Sequence, residues 1–189
     1  MKYRPLIACV CVLLLAGCRS LRDMKNFSRC EFRLERIEAV QLAGQDITGL
    51  QSWKELNMLQ AGNILRHAMQ QKQLPLQLTF RLAVYNPNQA RAALNRIDYE
   101  LWLFGKKAAT GSSGQRMEIE GGQTASFSMS IESDLWALFQ GQDAKEVAEK
   151  GFRLRRADGK AGDEVALRLK PYIRIFNKQI AYPGYVHLP

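Results

Sequence analysis

Between Leu74 and Val84 every second residue is apolar: Leu74, Leu76, Leu78, Phe80, Leu82 and Val84 are separated by Pro75, Gln77, Thr79, Arg81 and Ala83. Successive side chains of an extended chain point to opposite faces, so the pattern predicts a strand with one buried and one mostly wet face. Pro75 stands at its start, where a missing amide donor is tolerated. Ala125, Phe127, Met129 and Ile131 repeat the alternation strictly, after a shorter run at Met117 and Ile119. Phe32 and Leu34, then Val40 and Leu42, predict a strand whose register changes near Arg36 and Ile37. It ends in a turn around Gly44-Gln45-Asp46, where Asp46 suits an Asx turn. Tyr99, Leu101 and Leu103 alternate with Trp102 and Phe104, apolar on both faces, as in a central or covered strand. Val165, Leu167 and Leu169 precede Pro171, Ile173 and Ile175 resume the pattern, and Ile180 to Tyr182 follow a turn at Asn177-Lys178-Gln179. Pro183-Gly184 reads as a turn before a last edge segment from Tyr185 to Leu188. Phe104-Gly105-Lys106-Lys107 and Gly121-Gly122 read as hairpin signals.

Helical periodicity is confined to short stretches. Ala61, Ile64, Leu65, Ala68 and Met69 fall on one face of a helix, with Ser52 and Glu55 spaced as a capping box upstream. Leu56 and Leu59 lie off that face, and Gly62 predicts a bend or break. The face is expected to pack inward, with a partner-binding groove or membrane contact as the alternative. Ser133 or Asp134 can cap a short helix carrying Leu135, Trp136, Leu138 and Phe139, stopping at Gly141. Asp143 can cap another, with Ala144, Val147 and Ala148 on one face and Gly151 past its end. Many short strands and few helices predict a mainly β fold, an antiparallel sandwich with one inserted helix and short accessory helices.

The amino terminus follows a different logic. Met1-Lys2-Tyr3-Arg4 is a basic head, Leu6 to Leu15 is an apolar run, and Leu15-Ala16-Gly17-Cys18 closes it. The run is too short for a spanning helix of ~20 residues. It resembles a bacterial lipoprotein signal, which is cut before the cysteine and whose thiol then carries diacylglycerol. The resemblance implies lipidation at Cys18, with acyl chains such as palmitate holding the chain to a membrane. Arg19 follows, where an aspartate retains many such proteins in the inner membrane, so the resemblance implies the outer membrane and a periplasm-facing domain. The expected organisation is a signal over 1–17, a tether over 18–31 and a single domain over 32–189.

Removing 17 of 189 residues leaves 172, enough for one domain with a sizeable core. Loss of Lys2 and Arg4 from 27 basic residues leaves 25 against 18 acidic ones, a formal charge of +7. Such a field draws a protein to anionic lipid or acidic glycan, and an extracytoplasmic address excludes nucleic acid. Arg153, Arg155, Arg156 and Lys160, broken by Asp158 and Gly159, read as a solvated loop. With Cys9 and Cys11 in the signal and Cys18 acylated, Cys30 has no partner for an intramolecular bridge and is expected to be a quiet free thiol.

One central stretch carries a second resemblance. A strand ending in Asn86-Pro87-Asn88, then Ile97-Asp98-Tyr99-Glu100-Leu101-Trp102-Leu103-Phe104-Gly105 and a returning Ala108-Ala109-Thr110-Gly111, is similar to the water-stress and hypersensitive-response domain of group 2 late-embryogenesis-abundant proteins. It implies an immunoglobulin-like or fibronectin-like sandwich, no catalytic residues and no cofactor. From the residues themselves, Asn86, Pro87 and Asn88 form a structural stop and turn.

Candidate chemistry is sparse. His67 and His187 lack Cys, Asp or Glu neighbours at metal-ligand spacing and read as surface residues. Asp98 and Glu100 share a strand face, whereas a glycosidase needs a spaced pair from different segments, which spacing along the chain neither rules in nor rules out. Ser112, Ser113 and Gly114 have no nucleophile elbow. Trp53, Trp102 and Trp136 could form a sugar-stacking platform but sit in apolar patterns that predict core packing. The expected function is therefore non-catalytic: an outer-membrane lipoprotein, stress-protective or binding an envelope protein, anionic lipid or glycan. The alternative is a structural subunit of a periplasmic or outer-membrane assembly.

Overall fold

The structure, a computed structural model, describes residues 27, 29–114, 116–175, 178–182 and 184–188. The expected signal segment, Cys18 and most of the expected tether lie outside these residues, as do Asn177 and Pro183 of two predicted turns.

Two antiparallel sheets face each other. One runs in the order β2 (Gln45–Asp46), β1 (Glu31–Leu42), β3 (Pro75–Tyr85), β8 (Thr124–Asp134). The other runs β10 (Lys178–Ala181), β9 (Val165–Ile175), β5 (Arg96–Leu103), β6 (Lys106–Ser113), with β11 (Val186–Leu188) also on β9. A small ribbon pairs β4 (Ala92–Leu94) with β7 (Met117–Ile119). The alternation read from Leu74 to Val84 is the inner face of β3: Leu74, Leu76, Leu78, Phe80, Leu82 and Val84 are all buried, facing Ile97, Leu101 and Leu103 in a single core. β5 is interior to its sheet, as its two-sided apolar pattern requires. At one flank Ser133 Oγ donates to the Ala108 carbonyl at 3.0 Å, joining β8 to β6, and at the other β11 lies against β1.

The register change in β1 is real and double, between Leu34 and Arg36 and between Ile37 and Ala39. These bulges twist β1 where β2 does not reach it, and the loop before β9 covers it: Ile37 N–H donates to the Gly159 carbonyl, while Arg155 donates to the carbonyls of Ile37 (3.0 Å) and Thr48 (2.9 Å). Arg155 is thus a structural tie rather than part of a solvated basic loop. The turns at Ala43-Gly44 and Phe104-Gly105 have positive φ at both residues, the type I′ geometry that matches strand twist. Phe104 tolerates φ +50° while its ring packs edge-on to Phe139 at 5.5 Å.

Several expectations need correction. Ser52 caps only a 3₁₀ turn (Trp53–Glu55) and makes no side-chain bond to its backbone. The capping box lies at Asn57 and Gln60, which bond reciprocally at the start of α1 (Met58–Arg66), because Leu56 is extended and the helix restarts after it. Gly62 does not break α1. The irregularity comes at His67–Gln71, a π turn closed by Lys72 in the left-handed region. The buried face of this segment is Ile64 and Ala68, while Met69 is exposed. Gly121-Gly122 is a turn but not a hairpin, since it links β7 in the ribbon to β8 in a main sheet. Asp134 caps α2 (Leu135–Leu138) through the Trp136 amide, and Asp143 caps α3 (Ala144–Phe152) through two amides. Gly151 lies inside α3, where a Cβ would sit 3.3 Å from Leu42 Cδ2, so its smallness serves helix-to-strand approach. β9 runs unbroken through Pro171. The Pro171 carbonyl accepts from Tyr182 on the side where β11 and β10 leave a gap, so the missing N–H costs no ladder bond. Phe27, read as tether, is buried in the core with its ring 5.7 Å from Phe32.

Candidate functional surfaces

The Asn86-Pro87-Asn88 turn is built around a fully buried amide. Asn86 Nδ2 donates to the carbonyls of Ile119 (2.9 Å), Ala90 (3.0 Å) and Glu120 (3.2 Å), and Oδ1 accepts from the Asn88 backbone (3.1 Å) and Asn88 Nδ2 (2.7 Å). Its own N–H and C=O engage Gln123 and Gly122. One side chain therefore knits the end of β3 to the β7–β8 turn. Gly121 permits the approach, since a Cβ there would lie 2.3 Å from the Gln89 carbonyl oxygen. Asn86 works as a structural clasp; its polar atoms face the chain itself.

On the outer face of the five-stranded sheet the register sets Asp98 opposite Ser112 and Lys170, and Glu100 opposite Thr110 and Arg168. Arg96 bonds Asp98 at 2.7 Å, and Lys107 bonds Glu100 at 2.7 Å. Burial pushes the Asp98 carboxyl up, but hydrogen bonds from Arg96, Tyr172 and Ser112 outweigh it and hold the group below its ordinary value. Glu100 is lowered chiefly by the Lys107 hydrogen bond, with Trp102 and Arg168 adding to it. A general acid needs a raised carboxyl, and both of these are held ionised. A concavity of about 390 Å³ beside them is lined in part by Arg96, Asp98, Glu100 and Tyr185.

Trp102 belongs to this outer face, not to the core predicted for it. Its Nε1 donates to Glu100 at 3.3 Å, and Arg168 and Lys107 lie 4.6 and 5.4 Å from the ring centroid. Arg96 over Tyr172 (5.0 Å) and Lys170 over Tyr185 (5.3 Å) extend the series of cation–aromatic contacts. The cue was available: Trp102 stands two residues from Glu100 and shares its face. Trp53 and Trp136 pack against the core from its margin, with Lys72 5.4 Å over the Trp136 ring.

The remaining candidates are scattered. His67, read as a surface residue, is half-buried, and its Nδ1 is buried without a hydrogen-bond partner among the described residues. His187 is exposed on β11. Burial pushes the half-buried Cys30 thiol up to about 11, which makes it a poor nucleophile. No group of three or more His, Cys, Asp or Glu able to hold a metal occurs among the described residues, and no described helix is long and apolar enough to cross a membrane.

Residues 81–181 match a family profile described as late embryogenesis abundant protein, a span from β3 to β10 that contains the Asn86 clasp and the β5–β6 hairpin. No curated protein matches the chain. Among solved structures, a protein from Archaeoglobus fulgidus shares 13% identity over 60% of this chain and 82% of its own, with a TM-score of 0.35. A Northeast Structural Genomics Consortium target shares 9% identity over 85% and 84%, with a TM-score of 0.39.

Proposed function

Because the chain belongs to the late embryogenesis abundant protein family, whose profile spans more than half of it, we propose that it serves as a non-catalytic binding or stress-protective module of the bacterial envelope, lipid-anchored at Cys18 to the periplasmic leaflet of the outer membrane. The observation that carries this reading is Leu15-Ala16-Gly17-Cys18 closing a short apolar run behind Lys2 and Arg4. The domain adds support of a different kind. Its outward carboxylates Glu38, Asp98, Glu100 and Glu118 are each tied to cations or hydroxyls and held below their ordinary values, so they serve surface cohesion rather than proton transfer.

Mass spectrometry of the membrane-extracted protein tests the anchor. A mature chain beginning at acylated Cys18 is expected, and Cys18→Ser should leave the unacylated, unprocessed form. Arg19→Asp should move the protein from outer-membrane to inner-membrane fractions. A chain cleaved elsewhere, or mature and free of acyl groups, sinks the anchor reading.

A further inference from the structure

We propose that α1 and the π turn after it form an interfacial docking face for an anionic lipid surface. Among the described residues, the three most exposed large aliphatic side chains are Met58 (89%), Leu59 (80%) and Met69 (60%), all on this one helical segment. Leu59, Gly62, Arg66 and Met69 follow one another at spacings of three and four, so they make a continuous outward stripe with Met58 beside it. Open space surrounds the position of a Cβ on Gly62, so nothing from the fold covers the stripe at its middle. Ile64 and Ala68 meanwhile fill the core, which fixes the segment with its second apolar side turned to solvent.

The charge around the stripe selects the occupant. Lys54, Arg66 and Lys72 are exposed, and no Asp or Glu occurs between Glu55 and Asp98. Glu55 itself is engaged by the Gln51 amide and the Ser52 hydroxyl. On the neighbouring α3, Asp143 caps its own helix, Glu149 pairs with Lys145 and Glu146 is exposed, while Asp46 on β2 is bonded by Thr48. Flexible, unbranched methionines and a leucine, flanked by amides and cations on a segment with no carboxylate of its own, match an acyl-headgroup boundary: apolar tips enter and cations meet phosphates. A protein partner of the same area would more commonly be met by rigid aromatic anchors, which this face lacks.

Methionine oxidation tests the proposal on the native chain and does not require Cys18 to be acylated, because vesicles can be mixed with the protein in either form. With phosphatidylglycerol vesicles, hydrogen peroxide should oxidise Met58 and Met69 at least about fivefold more slowly than in buffer, read by peptide mass spectrometry. Phosphatidylcholine vesicles should give no such protection, and 1 M salt, which shortens the Debye length to ~3 Å, should remove it. Arg66→Glu with Lys72→Glu should abolish protection, while slow oxidation of buried Met129 reports that the fold is intact. Equal rates in buffer and in both lipids overturn the proposal. Protection that appears only when envelope proteins are added also overturns it, in favour of a protein partner.

Discussion

Replacing Asn86 with Ala should destabilise the domain far more than its single buried polar side chain suggests. The substitution deletes the donors to the Ile119, Ala90 and Glu120 carbonyls and the acceptor for both Asn88 groups. Each hydrogen bond contributes about 1 kcal/mol net, and a buried partner left unpaired costs about 1–3 kcal/mol. The bond to Ile119 is buried and the others partly so, which places the loss at roughly 4 kcal/mol out of a total of ~5–15 kcal/mol for a domain. Urea unfolding followed by tryptophan fluorescence measures it, and the thermal midpoint should drop by about 10 °C. Asn86→Asp is the sharper variant. It keeps an acceptor for Asn88 but turns a carboxylate towards three carbonyl oxygens, so its carboxyl is raised above the unfolded value of ~3.9 and its deficit grows as pH climbs past that value. A loss below ~1 kcal/mol for Asn86→Ala, or Asn86→Asp milder than Asn86→Ala at pH 7, would refute the clasp.

Three further outcomes follow from other parts of the fold. Gly62→Ala, with open space around the new methyl in the middle of α1, should stabilise the protein by about 0.5–1 kcal/mol in the same assay; a destabilisation would show that the stripe packs against something. Glu38, Asp46, Asp98, Glu100 and Glu118 all have lowered carboxyls in the folded state. Their stabilisation is fully present above the unfolded values of ~3.9–4.3 and is lost as pH falls through the lower folded values, so the thermal midpoint should decline on acidification below about pH 4 and Asp98→Asn should blunt that decline. A midpoint that rises on acidification contradicts the ion-pair assignments. Cys30, raised to about 11, should react with a thiol reagent at pH 8 at least about tenfold more slowly than a free cysteine of pKa ~8.5, and a rate matching free cysteine would place the thiol outside the packed interface.

Much of the sandwich was legible because a half-buried strand imprints its face on every second residue. β3 and β8 are read correctly from apolar spacing alone, and β1 betrays its bulges because Ile37 falls out of phase between Leu34 and Val40. The caps at Asp134 and Asp143 were legible for a similarly local reason, since each side chain bonds amides two or three residues away. Local spacing failed where the deciding contact lies far along the chain. Gly151 looks like a helix stop until Leu42, more than a hundred residues earlier, is seen against it. Arg155 looks solvated until its carbonyl partners on Ile37 and Thr48 are placed. Trp102 was misread because apolar identity was weighed above strand phase, although Glu100 on the same face marked it as outward.

Phe27, the first described residue, packs on Phe32 at one end of the sandwich and the proposed docking stripe lies at the other, and this separation constrains how the domain sits on lipid. Glu31 opens β1 beside Tyr85 at the Asn86 end, while Leu42 closes it beside Leu76 at the helical end. β3 runs between the same two pairs, Leu76 to Tyr85, in nine steps of ~3.3 Å, so those ends lie about 30 Å apart. Residues 18–26 reach at most ~30 Å when fully extended, so a domain upright on its Asn86 end would hold Leu59 well clear of the bilayer proposed to hold Cys18, and one upright on its helical end would need the full reach. Docking in the same membrane without stretching that segment to its limit therefore has the sandwich lie along it, with one outer face turned down. Arg96, Lys107, Arg168 and Lys170 exceed Asp98 and Glu100 on the five-stranded face, whereas Glu31, Glu35, Glu38 and Glu132 exceed Arg33, Arg36 and Arg81 on the four-stranded one. An anionic surface favours the first. The serine and threonine row at Thr124, Ser126, Ser128 and Ser130 then faces water, so energy transfer from a probe at Thr110 to acceptor lipids should exceed that from a probe at Ser128. The reverse order would mean that the fold lies on its acidic side, against the field that the docking proposal invokes.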